Sequence, residues 1–311
     1  MLHLRIIVPF DRTAQVERLL DDDPAVTDLV VLPGAARSPR GDVVTCDVVR
    51  EGGSTIIDQL RGLGIERDGS IMVEQVDTVL SAAADRAERL VPGLGVDAVV
   101  WEEIEHATEE QSRLSAAYLI FFVVATVIAA VGVLLDQPIL IVGAMVVGPE
   151  FGPLAALCVG LVRGRPALVR SALLALLVGF LVAGVATVGA TWALDAAGLV
   201  ERDMLIQQRP LTDFIWRPDA LSWVIGFLGG VAGMLSLTSA KAGTLVGVLI
   251  SVTTVPAAAN AAVALAYGVT HEAAGSAVQL LINVAAIVVA GVLTLGVQRL
   301  AWRRRAPSRP K

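Results

Sequence analysis

Residues 139–162 read ILIVGAMVVGPEFGPLAALCVGLV. The stretch is apolar and long enough to cross a bilayer, which takes roughly 20 residues. Gly143, Gly148, Pro149, Glu150, Gly152 and Pro153 nevertheless interrupt it. A proline removes a helical hydrogen bond and crowds the preceding turn. Lipid supplies no replacement partner, so broken backbone at membrane depth survives only inside protein or against a water-filled cavity. Interrupted membrane helices of this kind often carry a solute or ion site. The segment therefore predicts a polytopic α-helical membrane domain with a transport role.

The rest of the chain fits that frame. Hydrophobic residues make up 55% of it, more than a soluble enzyme needs. Residues 1–113 hold 22 Asp and Glu against 11 Arg, whereas residues 114–311 hold 8 against 13 Lys and Arg. An acidic soluble front thus precedes a hydrophobic domain with basic edges. The acidic balance argues against nucleic acid, which needs clustered Lys and Arg. Cys46 and Cys158 stand alone, one in each part, and read as small buried residues rather than a disulfide or metal pair.

Six apolar runs are predicted as spans: Leu114–Leu135, Ile139–Val162, Val169–Leu194, Leu221–Ala240, Ala242–Tyr267 and Ala273–Val297. Arg163, Arg165 and Arg170 join the second and third, Lys241 joins the fourth and fifth, and Arg299 with Arg303–Arg305 follows the sixth. Cytoplasmic loops carry the excess of Lys and Arg, so these three segments share the cytoplasmic side, with both termini. Arg202, Arg209 and Arg217 then fall in the outer loop, diluted by acidic neighbours. Trp192, Trp216, Trp223 and Trp302 lie near run ends, as an interfacial belt requires. Met1–Phe10 runs straight into charged sequence, which predicts no signal peptide. The expected location is the inner membrane, multi-pass.

Residues 1–76 alternate strand and helix patterns. Leu2–Val8, Val26–Leu32, Asp42–Val49 and Ser70–Val76 read as strands, and Thr13–Leu20 and Ser54–Leu63 as helices. The order βαββαβ predicts an α+β ferredoxin-like cytosolic domain. In it, Gly34–Gly41 reads as a loop in which Arg37 and Arg40 could hold an anionic ligand, although a solvated hairpin connection is the stronger reading. Dimerisation or gating suits the domain better than catalysis. Residues 77–113 form an acidic helical linker in which Glu102, Glu103, Glu109 and Glu110 make a solvated face. The membrane domain then occupies 114–298, and a basic tail 299–311.

Val124–Met145 can be laid over Val224–Leu249, and each leads into an interrupted helix, at Pro149–Pro153 and at Thr253–Pro256. Three spans per unit would give a 3+3 inverted repeat. Gly226/Gly230, Gly229/Gly233 and Gly243/Gly247 predict close helix contacts within or between protomers.

Glu150 is the sole carboxylate deep in a predicted span. A charge there costs roughly 2.5–3.5 kcal/mol on the lenient scale, so it should face a cavity or partner and bind a proton or cation, unless the break reaches an interface and leaves it wet. Thr253, Thr254 and Asn260, beside the break at Pro256, offer hydroxyl, amide and carbonyl oxygens. Gln279 and Asn283 lie one turn apart on the sixth run. All five could equally be glue between helices. Lys241 is read as snorkelling to the cytoplasmic interface. No HExxH, GxSxG, Walker A or strand-linked GxGxxG pattern occurs, and His3, His106 and His271 are dispersed, so neither an enzyme, a cofactor nor a metal is expected.

Glu110–Ser115, Ala125–Gly132, Ile141–Met145 running to Pro149 and Pro153, Thr253–Pro256 and Ile282-Asn283-Val284 together resemble an uncharacterised prokaryotic membrane family, a hydrophobic domain of unknown function numbered 389. The resemblance spans about residues 97–297. Family members tend to have an apolar residue where this chain has Glu150 and a second proline where it has Ala257. The resemblance implies architecture and no substrate. Two functions are expected: a transporter or channel for a small polar solute or ion, gated or assembled by the front domain, or a membrane-anchored sensor or scaffold whose front domain binds a small ligand. Either is expected as a homo-oligomer in the lipid bilayer.

Overall fold

The computed structural model describes residues 1–76, 78–91, 99–239 and 254–305. They form two compact units, one built on Met1–Ile104, the other on Glu105–Leu237 and the helices after residue 253.

The first unit runs β1 (Leu2–Val8), α1 (Thr13–Asp21), β2 (Val26–Arg37), β3 (Arg40–Val48), α2 (Arg50–Gly62), α3 (Ile65–Asp68) and β4 (Ser70–Gln75), and its sheet order is β2-β3-β1-β4 with every neighbour antiparallel. This is the arrangement of a split βαβ unit. Side chains alternate across a strand, so Leu2, Leu4, Ile6 and Val8 all point into the core, where α1 adds Val16 and Leu20 and α2 adds Ile56 and Leu60. Val30, Leu32 and Met72 stay exposed, in register with Arg5 and Ile7.

Two boundaries stand well away from the sequence reading. β2 does not end at Pro33-Gly34 but continues to Arg37 across a register shift between Leu32 and Ala36. β2 is an edge strand, where proline's missing donor does no harm. Gly34 takes φ +65°, and its N–H donates to Asp42 Oδ1 at 2.7 Å. The expected Gly34–Gly41 loop is therefore a hairpin tip, with Arg37 and Arg40 paired across it and exposed. α2 begins at Arg50, ahead of Ser54, because Gly52 and Gly53 sit at close packing contacts: added Cβ atoms would lie 2.5 Å from Ala25 Cβ and from Leu2 Cδ1 respectively.

Beyond the sheet, α4 (Ala82–Leu90) is capped by the Ser81 hydroxyl, and α5 spans Trp101–Gln111. Glu102 is not part of a solvated face: it accepts from the Ser54 hydroxyl at 2.7 Å and is mostly buried.

The second unit is helical: α6 (Ala116–Leu134), α7 (Pro138–Val147), α8 (Phe151–Arg163), α9 (Pro166–Ala196), α10 (Arg202–Ile206), α11 (Ala220–Thr238), α12 (Thr254–Ala266) and α13 (Thr270–Arg305). Four of these, α6, α9, α11 and α13, are long and apolar enough to cross a membrane, and α7 with α8 makes a fifth if the bent pair counts as one span. Of the expected fifth run, Ala242–Tyr267, only α12 lies within the described residues, at 13 residues. Lys241, Ser251, Thr253, Gly243 and Gly247 lie outside them.

α7 and α8 meet at a 53° bend. Gly148 is extended, Pro149 follows, and Glu150 takes the residue before α8. Gly143 does not break anything: it lies within α7, because glycine keeps its N–H and lowers helix propensity by only about 1 kcal/mol. Gly152 and Pro153 are not in the break either but in the first turn of α8, where an N–H has no helical acceptor to lose. Pro256 is likewise the third residue of α12. Gly164 at φ +70° ends α8 and Pro166 opens α9, the usual glycine-stop and proline-start pair.

α8 and α12 are buried along most of their surface, whereas the long helices expose residues such as Leu177, Leu181 and Leu281. The two short helices therefore form the interior of the bundle. α8 packs on α9 and α13, and α12 on α13, α9 and α6. Gly226 and Gly230 let α11 approach Ala286, Ile287 and Ala290 of α13.

Candidate functional site

The N-terminal ends of the two inner helices meet. Glu150 precedes α8, and Thr254 opens α12 and donates its hydroxyl to Glu150 Oε1 at 3.0 Å. Helix N-termini carry partial positive charge, which suits a carboxylate between them. Glu150 is 1% exposed, so it is not wetted at an interface. Its other oxygen, Oε2, has no hydrogen-bond partner among the described residues. That oxygen lies over Gly148, 2.5 Å from where a Cβ would stand, with Val255 Cγ2 at 2.9 Å.

A second polar group surrounds Asn260. Its Nδ2 donates to Ser276 Oγ at 2.7 Å and to Glu272 Oε1 at 3.1 Å, while its Oδ1 accepts from Arg209 Nη1 at 3.2 Å. Arg209 Nη2 also donates to Glu272 Oε1. Both members of this ion pair are buried, at 3% and 5% side-chain exposure. Asp213 stands 3.9 Å from Arg209 Nη2. Arg209 and Glu272 were not among the residues the sequence singled out. Arg209 falls in a loop between spans, and its partner lies 63 positions away.

Glu272 also begins a seam. Glu272, Ser276, Gln279 and Asn283 are all buried, and their spacing of four, three and four residues places them on one stripe of α13. At 1.5 Å per residue the stripe runs about 16 Å into an apolar bundle. The periodicity is visible in the sequence once Glu272 and Ser276 are read with Gln279 and Asn283. Of the expected solute ligands, the structure thus joins Glu150 with Thr254, and places Asn260, Gln279 and Asn283 along the seam.

The seam begins at a cavity of about 380 Å³ whose lining includes Arg202, Arg209, Asp213, Trp216, Arg217 and Glu272. Loops define this end of the bundle: Asp136 accepts from the Thr212 hydroxyl at 2.8 Å. At the other end, Arg163 and Arg165 both pair with Glu105, and Arg299 donates to the Val162 carbonyl. No group of three or more metal-ligating side chains occurs among the described residues.

A family model described as Domain of unknown function (DUF389) matches residues 145–289. The match begins just before the bend and ends within α13, so it takes in both inner helices, and it is shorter than the 97–297 suggested by the motifs. Comparison with curated proteins and with solved structures returns no match. Residues 145–289 therefore match the DUF389 family model, and the apolar helices fit a membrane protein.

Proposed function

We propose that the protein is a transporter or channel of the inner membrane that moves a small polar solute or ion. One observation carries this reading: α13 buries Glu272, Ser276, Gln279 and Asn283 on a single stripe, with Asn260 beside its first two residues, inside a largely apolar bundle. Polar groups are expensive in an apolar interior and, in membrane proteins, commonly mark substrate or ion pathways. Glu150, enclosed where two helix ends meet, suits a proton or cation.

The inverted repeat belongs to this proposal. Under it, α8 corresponds to α12 and α9 to α13. The pairing of α8 with α9 then mirrors that of α12 with α13, and α8 on α13 mirrors α12 on α9, which supports a two-fold relation and a six-span count. The clustering of Glu105, Arg163, Arg165 and Arg299 at one end supports cytoplasmic termini, since basic residues gather on that side.

A second reading, a membrane-anchored sensor or scaffold, draws on the sheet unit (residues 1–76). Its uncovered face presents Val30, Leu32 and Met72 around Arg5, an apolar surface suited to a second copy of the chain. In either reading the protein works as a homo-oligomer assembled or gated through this domain.

The test is flux. Purified protein in vesicles should carry at least one member of a broad panel of small anions, cations and polar solutes with saturable, protein-dependent kinetics. Silence across the panel contradicts transport and leaves the scaffold reading.

A further inference from the structure

The cavity where the polar seam begins has a definite chemistry. Three guanidiniums line it, from Arg202, Arg209 and Arg217, against two carboxylates, Asp213 and Glu272. Both carboxylates are already engaged. Glu272 is bonded by Arg209 and Asn260, and Asp213 pairs with Arg217 at 3.2 Å and accepts from Trp216 Nε1 at 3.4 Å. The donors are not used up. Among the described residues, the Arg202 side chain makes no hydrogen bond or ion pair, and Arg209 Nε is buried without a hydrogen-bond partner. The lining therefore carries an excess of positive charge and of N–H donors.

The cavity also has an apolar side. Leu205, Ile206 and Val269 line it, and the Trp216 ring carries the Arg217 guanidinium 4.7 Å from its centre on one side and packs edge-to-face with His271. Its volume exceeds what a lone inorganic ion fills. We propose that this cavity binds a small organic oxyanion, with Arg202 and Arg217 holding its carboxylate or phosphate group and the Trp216 side taking its apolar body. Guanidinium forks match both groups, which accept two parallel hydrogen bonds. A cation is disfavoured, because each carboxylate would first have to give up an arginine.

The inference deepens the transport reading by naming the solute class, and on that reading the seam of α13 leads inward from the site. Binding itself needs no transport, so the two separate experimentally. The full chain in detergent is titrated with sodium pentanoate in one arm and sodium phosphate in the other, at constant ionic strength. Tryptophan fluorescence is the readout, and Trp216→Phe serves as the blank. A saturable change with either anion is expected, and the responding arm names the headgroup. Because a charged hydrogen bond contributes on the order of a tenfold factor or more, Arg202→Gln should weaken binding about tenfold or more. Arg170→Gln, an exposed arginine remote from the cavity in sequence, should not. Arg202 is itself exposed, so folding of that variant is not at issue. No saturable response to either anion overturns the site, as does equal affinity in Arg202→Gln. Binding without vesicle flux keeps the site and removes transport, whereas flux of oxyanions that Arg202→Gln leaves intact removes the site and keeps transport.

Discussion

Splitting the Arg209–Glu272 pair should destabilise the helical unit more than almost any other single change. Both side chains are nearly sealed from solvent. Removing one partner of such a pair leaves an uncompensated buried charge, at a cost of about 3–5 kcal/mol. The two halves differ in what remains. Without Glu272, Arg209 keeps Asn260 Oδ1 and has Asp213 at 3.9 Å. Without Arg209, Glu272 keeps, among the described residues, the Asn260 amide at 3.1 Å. Arg209→Met should therefore fall near 5 kcal/mol and Glu272→Leu near 3. At about 2–4 °C per kcal/mol for a unit of this size, the melting temperature drops by roughly 10–20 °C and 6–12 °C respectively. The double variant Arg209→Met/Glu272→Leu replaces the pair with apolar volume and should recover most of that loss. Thermal unfolding of the detergent-solubilised protein, arranged as a double-mutant cycle, gives the coupling directly. Single variants that melt within 2–3 °C of the wild type, or a double variant whose loss equals the sum of the singles, would refute the reasoning.

Two further outcomes follow from local geometry. Gly148→Ala puts a Cβ against the Glu150 carboxylate and Val255, so it should lower stability by about 1–3 kcal/mol, read by the same unfolding assay. In the sheet unit, the Thr13 hydroxyl and then the Gly34 N–H hold the Asp42 carboxyl below its ordinary range, and Arg67, then Arg12, hold Asp68 at about 2. Lowered carboxyl values stabilise the fold above the unfolded value near 4 and cease to do so as pH falls through the folded value. Stability of this unit should thus decline from about pH 4 toward pH 2, and Asp42→Asn should flatten part of that slope in a pH series of circular dichroism melts. An unchanged slope counts against the assignment.

Much of the architecture was legible because local rules govern it. Pro149 breaks the second run whatever surrounds it, and strict alternation in Leu2–Val8 announces a half-buried strand. Where the reading slipped, tertiary context overrode a local signal. Gly143 stayed helical because its backbone donor remained available. Pro33 stayed in a strand because that strand lies on an edge. Gly52 and Gly53, ahead of the expected helix start at Ser54, lie inside the helix at tight packing contacts. The candidate site divides in the same way. Glu150, Asn260, Gln279 and Asn283 could be picked out as polar residues in apolar runs. The ion pair could not, since nothing local links a loop arginine to a carboxylate 63 residues on.

The central claim is that the stripe on α13 is a solute path and not mere glue between helices. Gln279 separates the two, because it is 2% exposed and its Oε1 has no hydrogen-bond partner among the described residues. Replacing an unsatisfied polar group by an apolar one of similar size is close to neutral or stabilising. The measurement is protein-dependent flux in vesicles for wild type and Gln279→Leu, each normalised to folded protein. The account predicts a melting temperature equal to or above that of the wild type, together with at least a tenfold loss of flux. Undiminished flux through Gln279→Leu would contradict it.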